Sequence, residues 1–182
     1  ALNCESEAAY EIARITKAYS HNVLAVIGGP HPHRRAAELL AQTDFDWVVD
    51  GPAERTFPEA LDRWASGKPL GTDLPGLSYT ARSGAHVSDQ IDVETNLDAM
   101  GMPAWDLVQF DVYARLHNMN AMMKGRRYAQ IFTSRGCPYK CNYCHDVFGK
   151  RFYARSPEHV LQEIEIRHER YGVDELHFVD DI

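Results

Sequence analysis

The chain of 182 residues is long enough for one ordinary domain or parts of two, and its 45% hydrophobic and 25% charged residues exclude a disordered polypeptide. A net charge of −7 speaks against general nucleic-acid binding, and no run of eighteen apolar residues is present, so no membrane span is expected. The first five residues carry neither a basic leader nor a long apolar stretch; a cytoplasmic setting is expected, and the missing initiating Met points to a processed or excised piece.

Residues 5–20 place Ala8, Ile12, Ile15 and Tyr19 at helical spacing and predict a helix that buries this stripe. The apolar run 23–27, closed by Gly28-Gly29-Pro30, reads as a strand buried on both faces. Residues 34–42 predict a short helix with Ala37, Leu40 and Ala41 on one side. Residues 45–49 predict a second buried strand closed by Asp50-Gly51, and 56–66 a helix carrying Phe57, Leu61 and Trp64, stopped by Gly67. This alternation is that of an α/β fold with crossover helices. From Lys68 the pattern breaks. Residues 77–81 and 85–91, separated by Arg82-Ser83-Gly84, predict a β-hairpin, and 92–127 a linker packed against both flanking regions through Trp105, Phe110 and Tyr113.

A second unit starts at Tyr128. Residues 129–134 predict a strand that feeds a loop beginning Arg135-Gly136-Cys137. Ser156 and Pro157 then open a helix with Val160, Leu161, Ile164 and Tyr171 on its apolar face, ended by Gly172. Residues 176–179 form the next strand, which completes one βαβ unit. The expected organisation is therefore 1–67, an α/β domain; 68–127, hairpin and linker; and 128–182, the start of a second α/β domain.

Three of the four cysteines, Cys137, Cys141 and Cys144, lie within eight residues, and nothing suggests export, so a disulfide framework is not expected. Three thiolates on one turn can hold three irons of a [4Fe-4S] cubane and leave the fourth iron open to a bidentate ligand. Zinc with His145 as a fourth ligand, or a redox pair of Cys141 and Cys144, are the competing uses of these residues. Between Lys124 and Arg155 eight basic residues face one acid, Asp146, a local positive balance that suits an anionic cluster or an ordinary solvated loop. Cys4 stands apart and is expected to be a small buried hydrophobe.

The run Phe132-Thr133-Ser134-Arg135-Gly136-Cys137-Pro138-Tyr139-Lys140-Cys141-Asn142-Tyr143-Cys144 resembles the cluster loop of radical S-adenosylmethionine (SAM) enzymes. The resemblance implies a partial TIM barrel with a [4Fe-4S] cluster on Cys137, Cys141 and Cys144, bound SAM, and Tyr143 near the adenine. That family contacts the SAM amino group from a Gly-Gly-Glu segment at the second strand's end. Here the matching place reads Val179-Asp180-Asp181, and Asp180 is the candidate.

Gly28-Gly29-Pro30-His31 and Asp50-Gly51-Pro52-Ala53-Glu54 resemble the C-terminal part of the flavodoxin-like (Rossmann-like) cobalamin-binding domain fused to many such enzymes. By resemblance, Gly28 and Gly29 lie beside the cobalamin nucleotide tail. His31 and His33 are read as surface loop histidines and not as cobalt ligands. The expected function is a cobalamin-dependent radical SAM methyltransferase, or a relative that rearranges or cyclises its substrate. Its expected partners are a small-molecule or peptide substrate and a reductant such as flavodoxin or ferredoxin. Alternatives are a radical SAM enzyme whose α/β half is a non-cobalamin docking module, as in a methylthiotransferase-like arrangement, and an iron–sulfur electron carrier or sensor.

Overall fold

The computed structural model describes residues 3–82, 84–113, 127–144 and 148–182. The chain divides into two compact units, Ala1–Glu94 and Thr95–Ile182. Among the described residues no helix is long and apolar enough to cross a membrane.

The first unit is a four-stranded sheet in the order β1 (Val26–Ile27), β2 (Trp47–Val49), β3 (Leu77–Ala81), β4 (Gly84–His86). β1 and β2 are parallel, whereas β2–β3 and β3–β4 are antiparallel. The predicted hairpin thus exists and extends the first sheet, with Trp47 opposite Tyr79. Its second strand ends at His86 and does not reach 91. α1 (Ser6–Tyr19) and α2 (Ala36–Gln42) cover one face, where Ala13, Ala25, Ile27, Leu39, Phe45 and Val48 form a core. α3 (Thr56–Ala65) covers the other, with Trp47, Val49, Ala60, Leu74 and Leu77. Side chains alternate across a strand, so β2 sends Val48 one way and Trp47 and Val49 the other. All three are buried, as a strand between two helical layers requires.

Helix faces depart from the sequence expectation. On α1 the predicted stripe faces outward: Ile12, Ile15 and Tyr19 are 64, 55 and 90% exposed, while Ala9, Tyr10 and Ala13 pack inward. The small side chains let the helix lie close to Ala25 and Ile27, and Lys17 anchors it by donating to the Val23 carbonyl at 2.7 Å and pairing with Asp46 at 2.5 Å. On α2 the buried face is Ala36 and Leu39 rather than Ala37 and Ala41. The 23–27 strand is shorter than expected, and Val23 is exposed because it lies ahead of the paired residues. Cys4 is exposed on the first helical turn, not buried.

The described part of the predicted linker divides between the units. Asp92 is buried in the first, where Arg55 and Thr56 donate to its carboxylate. In the second, residues 97–100 and 105–107 form single 3-10 turns and α4 (Phe110–Tyr113) follows. Phe110, Ala129 and Val173 make that unit's small core, with Trp105, Tyr171 and Leu176 against it. Its centre is a parallel pair, β5 (Tyr128–Ile131) and β8 (Glu175–Phe178), joined by α5 (Pro157–Tyr171).

α5 begins and ends as its sequence predicts. The Ser156 side chain accepts from the His159 N–H at 3.2 Å, Pro157 follows, and Gly172 closes the helix at φ 63°. Its most buried residues are not the predicted apolar stripe, in which Val160, Ile164 and Tyr171 are half-buried and Leu161 is exposed. Glu163 and Arg167 are its buried residues, 1 and 2% exposed, and Glu163 accepts from both Arg155 and Arg167. Arg167 also donates to the Gln130 carbonyl and lies 4.1 Å over the Trp105 ring. Burial pulls the Arg167 guanidinium below its ordinary value, and the facing Glu163 carboxylate opposes that pull.

Candidate functional site

The three cysteines lie on one loop whose two ends are tied together. After β5 the chain turns into β6 (Ser134–Arg135), which pairs antiparallel with β7 (Tyr153–Ala154) on the far side of the loop. The Arg155 N–H reaches the Thr133 carbonyl at 2.8 Å, and its guanidinium reaches the Phe132 carbonyl at 2.9 Å while also holding Glu163. Thus the stretch that contains Cys137, Cys141 and Cys144 leaves the sheet and returns to it at one place, the C-terminal end of β5.

Cys137 is half-buried and Cys141 and Cys144 are exposed, all three as free thiols. The Cys144 N–H contacts the Cys141 carbonyl at 3.3 Å, so these two share a turn. Among the described residues no three Cys, His, Asp or Glu side chains are gathered within metal-ligating reach. The structure brings the cysteines to one loop without converging their sulfurs. The donor set nevertheless fits an iron–sulfur group: three reduced, accessible thiols on a loop with a fixed base. His145, the fourth ligand that a zinc site needs, and Asp146 lie outside the described residues. Of the basic residues near the cysteines, Lys124 and Arg126 also lie outside them. Arg127 and Arg155 are turned to structural partners, Asp111 and Glu163, whereas Lys140 and Arg151 are exposed. Tyr143 is 88% exposed.

Gly136, directly before the first cysteine, has φ 80°, and a Cβ there would overlap the backbone carbonyl of Arg151. Gly149 has the same φ but, among the described residues, open space around it. This pair separates steric from conformational cost. Gly136→Ala is expected to destabilise the second unit by about 3 kcal/mol or more, and Gly149→Ala by roughly 1 kcal/mol, in urea unfolding of the metal-free protein.

Asp180, at the exit of β8, has both carboxylate oxygens engaged. Oδ1 accepts from the Thr133 and Ser134 N–H groups at 2.7 and 2.8 Å, and Oδ2 from the Thr133 hydroxyl at 2.5 Å. Burial pushes this carboxyl up, but the donors from Thr133 and Ser134 outweigh it and hold it below its ordinary value. Asp181 Oδ2 accepts from the Gly136 N–H at 2.9 Å. Thr133, Ser134 and Asp181 were not singled out from sequence; two adjacent acids at a strand end were the only legible signal.

In the first unit Gly28 and Gly29 follow β1, and Gly28 lies against Val49 of β2. The loop after them is fastened to the end of β2: Asp50 takes the His33 ring through Oδ1 at 2.8 Å and the Arg34 N–H through Oδ2 at 2.9 Å. His31 is buried, not on the surface, with Tyr10 Oη 2.5 Å and Arg35 3.0 Å from its Nε2. Burial and the nearby Arg35 cation lower its affinity for a proton. Both histidines therefore serve the loop's own structure.

No protein-family model matches the chain. It is 34% identical over 176 residues to an uncharacterized methyltransferase, PH0819, of Pyrococcus horikoshii, with 95% of this chain and 36% of the relative covered. It is 30% identical over 135 residues to the cobalamin-dependent radical SAM methyltransferase TokK of Streptomyces tokunonensis, with 74% and 19% covered. The chain is a relative of the cobalamin-dependent radical SAM proteins. Among solved structures, the cobalamin-dependent SAM radical enzyme OxsB with aqua-cobalamin and SAM bound shares its fold at a TM-score of 0.72 and 18% identity, with 97% of this chain and 24% of that one covered. The chain thus spans about a third or less of the length of these proteins. The expected α/β fold holds over nearly all of it.

Proposed function

We propose that this chain is part of a cobalamin-dependent radical SAM methyltransferase. The observation that carries the reading is the loop of Cys137, Cys141 and Cys144, set at the C-terminal end of the first strand of a parallel βαβ unit, in a chain similar to methyltransferases. In this reading the βαβ unit opens a partial TIM barrel, and the first unit is the late part of a cobalamin-binding domain, with Gly28 and Gly29 beside the cofactor's tail. The three thiolates ligate a [4Fe-4S] cluster, and Tyr143 lies by the adenine of SAM.

When bound, the cluster supplies one electron for reductive cleavage of SAM to a 5′-deoxyadenosyl radical, and cobalamin supplies a methyl carrier. The chain's own contribution is placement. Gly136 lets the loop pass tightly over Arg151, β6 and β7 close its base, and the exposed Lys140 and Arg151 favour an anionic cluster and a carboxylate-bearing ligand. Asp180, the sequence candidate for the SAM ammonium, has both carboxylate oxygens engaged by Thr133 and Ser134. The reading calls for a low-potential donor such as flavodoxin or ferredoxin, hence a reducing compartment such as the cytoplasm. The substrate is a small molecule or a peptide.

The test is anaerobic reconstitution of the full protein with iron and sulfide, then dithionite and SAM, scoring 5′-deoxyadenosine and bound corrin together. Both are expected. Deoxyadenosine without corrin transfers the assignment to a radical SAM enzyme with a docking module, and a redox-active cluster without deoxyadenosine transfers it to an electron carrier.

A further inference from the structure

We infer that Asp180 and Asp181 are positioning residues that clamp the entry of the cysteine loop, and that Asp180 serves there as a hydrogen-bond acceptor rather than as the charge that receives the SAM ammonium. Within four residues, 133–136, three backbone N–H groups and one hydroxyl are held by two adjacent carboxylates that lie more than forty positions downstream. The need for such acceptors follows from the strand pairing. The ladder between β5 and β8 ends with the Val179 N–H on the Ile131 carbonyl at 3.0 Å, and β6 then pairs with β7 instead. Donors on the β8 side of residues 133–136 therefore face side chains and not a strand. Buried backbone donors seek a partner, and a carboxylate is the strongest neutral-pH acceptor that a side chain offers.

The clamp acts where a small displacement matters most. Cys137 follows Gly136 directly, so the hydrogen bond from Gly136 to Asp181 sets where the first thiol leaves the sheet. The opposite side of the same turn is fixed by Arg155 on the Thr133 and Phe132 carbonyls. Entry and exit of the loop are thus fastened to β8 and α5 by different groups.

Asn at position 180 separates the two roles. Its carbonyl oxygen can accept from the Thr133 and Ser134 N–H groups, and its amide can donate to the Thr133 hydroxyl oxygen, so the clamp survives while the charge is lost. Ala at 180 removes both. The cluster half of the inference rests on the proposed function, whereas the clamp itself does not.

Amide hydrogen exchange on the metal-free full protein reads the clamp. Asp180→Ala is expected to speed exchange at Thr133 and Ser134 by about ten- to a hundredfold, Asp181→Ala to do so at Gly136, and Asp180→Asn to stay within about threefold of the parent. After anaerobic reconstitution, iron per chain is expected to fall in the Ala variants. Asp180→Asn is expected to keep its iron and to show the parent's change in the reduced-cluster electron paramagnetic resonance spectrum on adding SAM. Unchanged exchange in Asp180→Ala overturns the clamp. An Asp180→Asn protein that holds iron but no longer responds to SAM overturns the acceptor role and returns Asp180 to the ammonium. Should the parent take up no iron, the proposed function fails while the exchange comparison still decides the clamp. If Asp180→Ala does not fold, Asp180→Asn alone still separates acceptor from charge.

Discussion

Serine in place of Cys137, Cys141 or Cys144, one at a time, is expected to lower 5′-deoxyadenosine formation by about a hundredfold or more and to leave the reconstituted protein short of iron. The reason is chemical and not structural. Serine keeps the size and loses the soft thiolate, and a second iron without a protein ligand leaves the cubane open to loss. Cys141 and Cys144 are exposed, so in the metal-free protein the same substitutions at these two are expected to change unfolding free energy by no more than about 0.5 kcal/mol. Cys4→Ser is the control. That thiol sits on the first helical turn of the other unit and is expected to leave both iron content and product unchanged. Equal iron retention in all four variants would remove the basis of the functional reading.

The second large effect concerns the fold beneath the loop. Glu163→Ala is expected to destabilise the second unit by about 3–5 kcal/mol, because it strands Arg155 and Arg167 as buried cations without their shared carboxylate. At roughly 2–4 °C per kcal/mol for a chain of this size, the midpoint should fall by about 6–20 °C. Glu163→Gln keeps an acceptor oxygen for each guanidinium and should cost clearly less. Trp105 is the natural reporter, since it is the second unit's tryptophan and stacks on the Arg167 guanidinium. A melt of Glu163→Ala that coincides with the parent's would show that the triad contributes nothing net.

Much of the architecture was readable because it rests on local signals. The β2 segment is apolar at every position because helices cover both faces of its sheet, and α5 carries a Ser-Pro opening and a Gly close that each satisfy backbone groups at a helix end. The cysteine loop stood out for a different reason, since three thiols within eight residues, two of them exposed, are not explained by a core. What failed is equally physical. On α1 larger side chains marked the wrong face, because alanines allow close approach to the sheet while Ile12, Ile15 and Tyr19 remain outside. On α5 the predicted apolar stripe omits the residues that are most buried, Glu163 and Arg167, which at i and i+4 neutralise each other inside. The partners of Asp180, Thr133 and Ser134, were not legible either, since they are remote in sequence and carry no periodic signature.

The anchoring of the loop by β8 also has a consequence in time. Translation delivers Cys137, Cys141 and Cys144 some forty residues before Asp180 and Asp181 emerge, so the nascent chain displays three thiols before these carboxylates can hold the loop's entrance. Under the proposed function, iron loading that depends on a preset loop entrance waits until the whole βαβ segment has left the ribosome. On that reading, metal insertion is a late, post-folding event rather than the step that nucleates this part of the molecule.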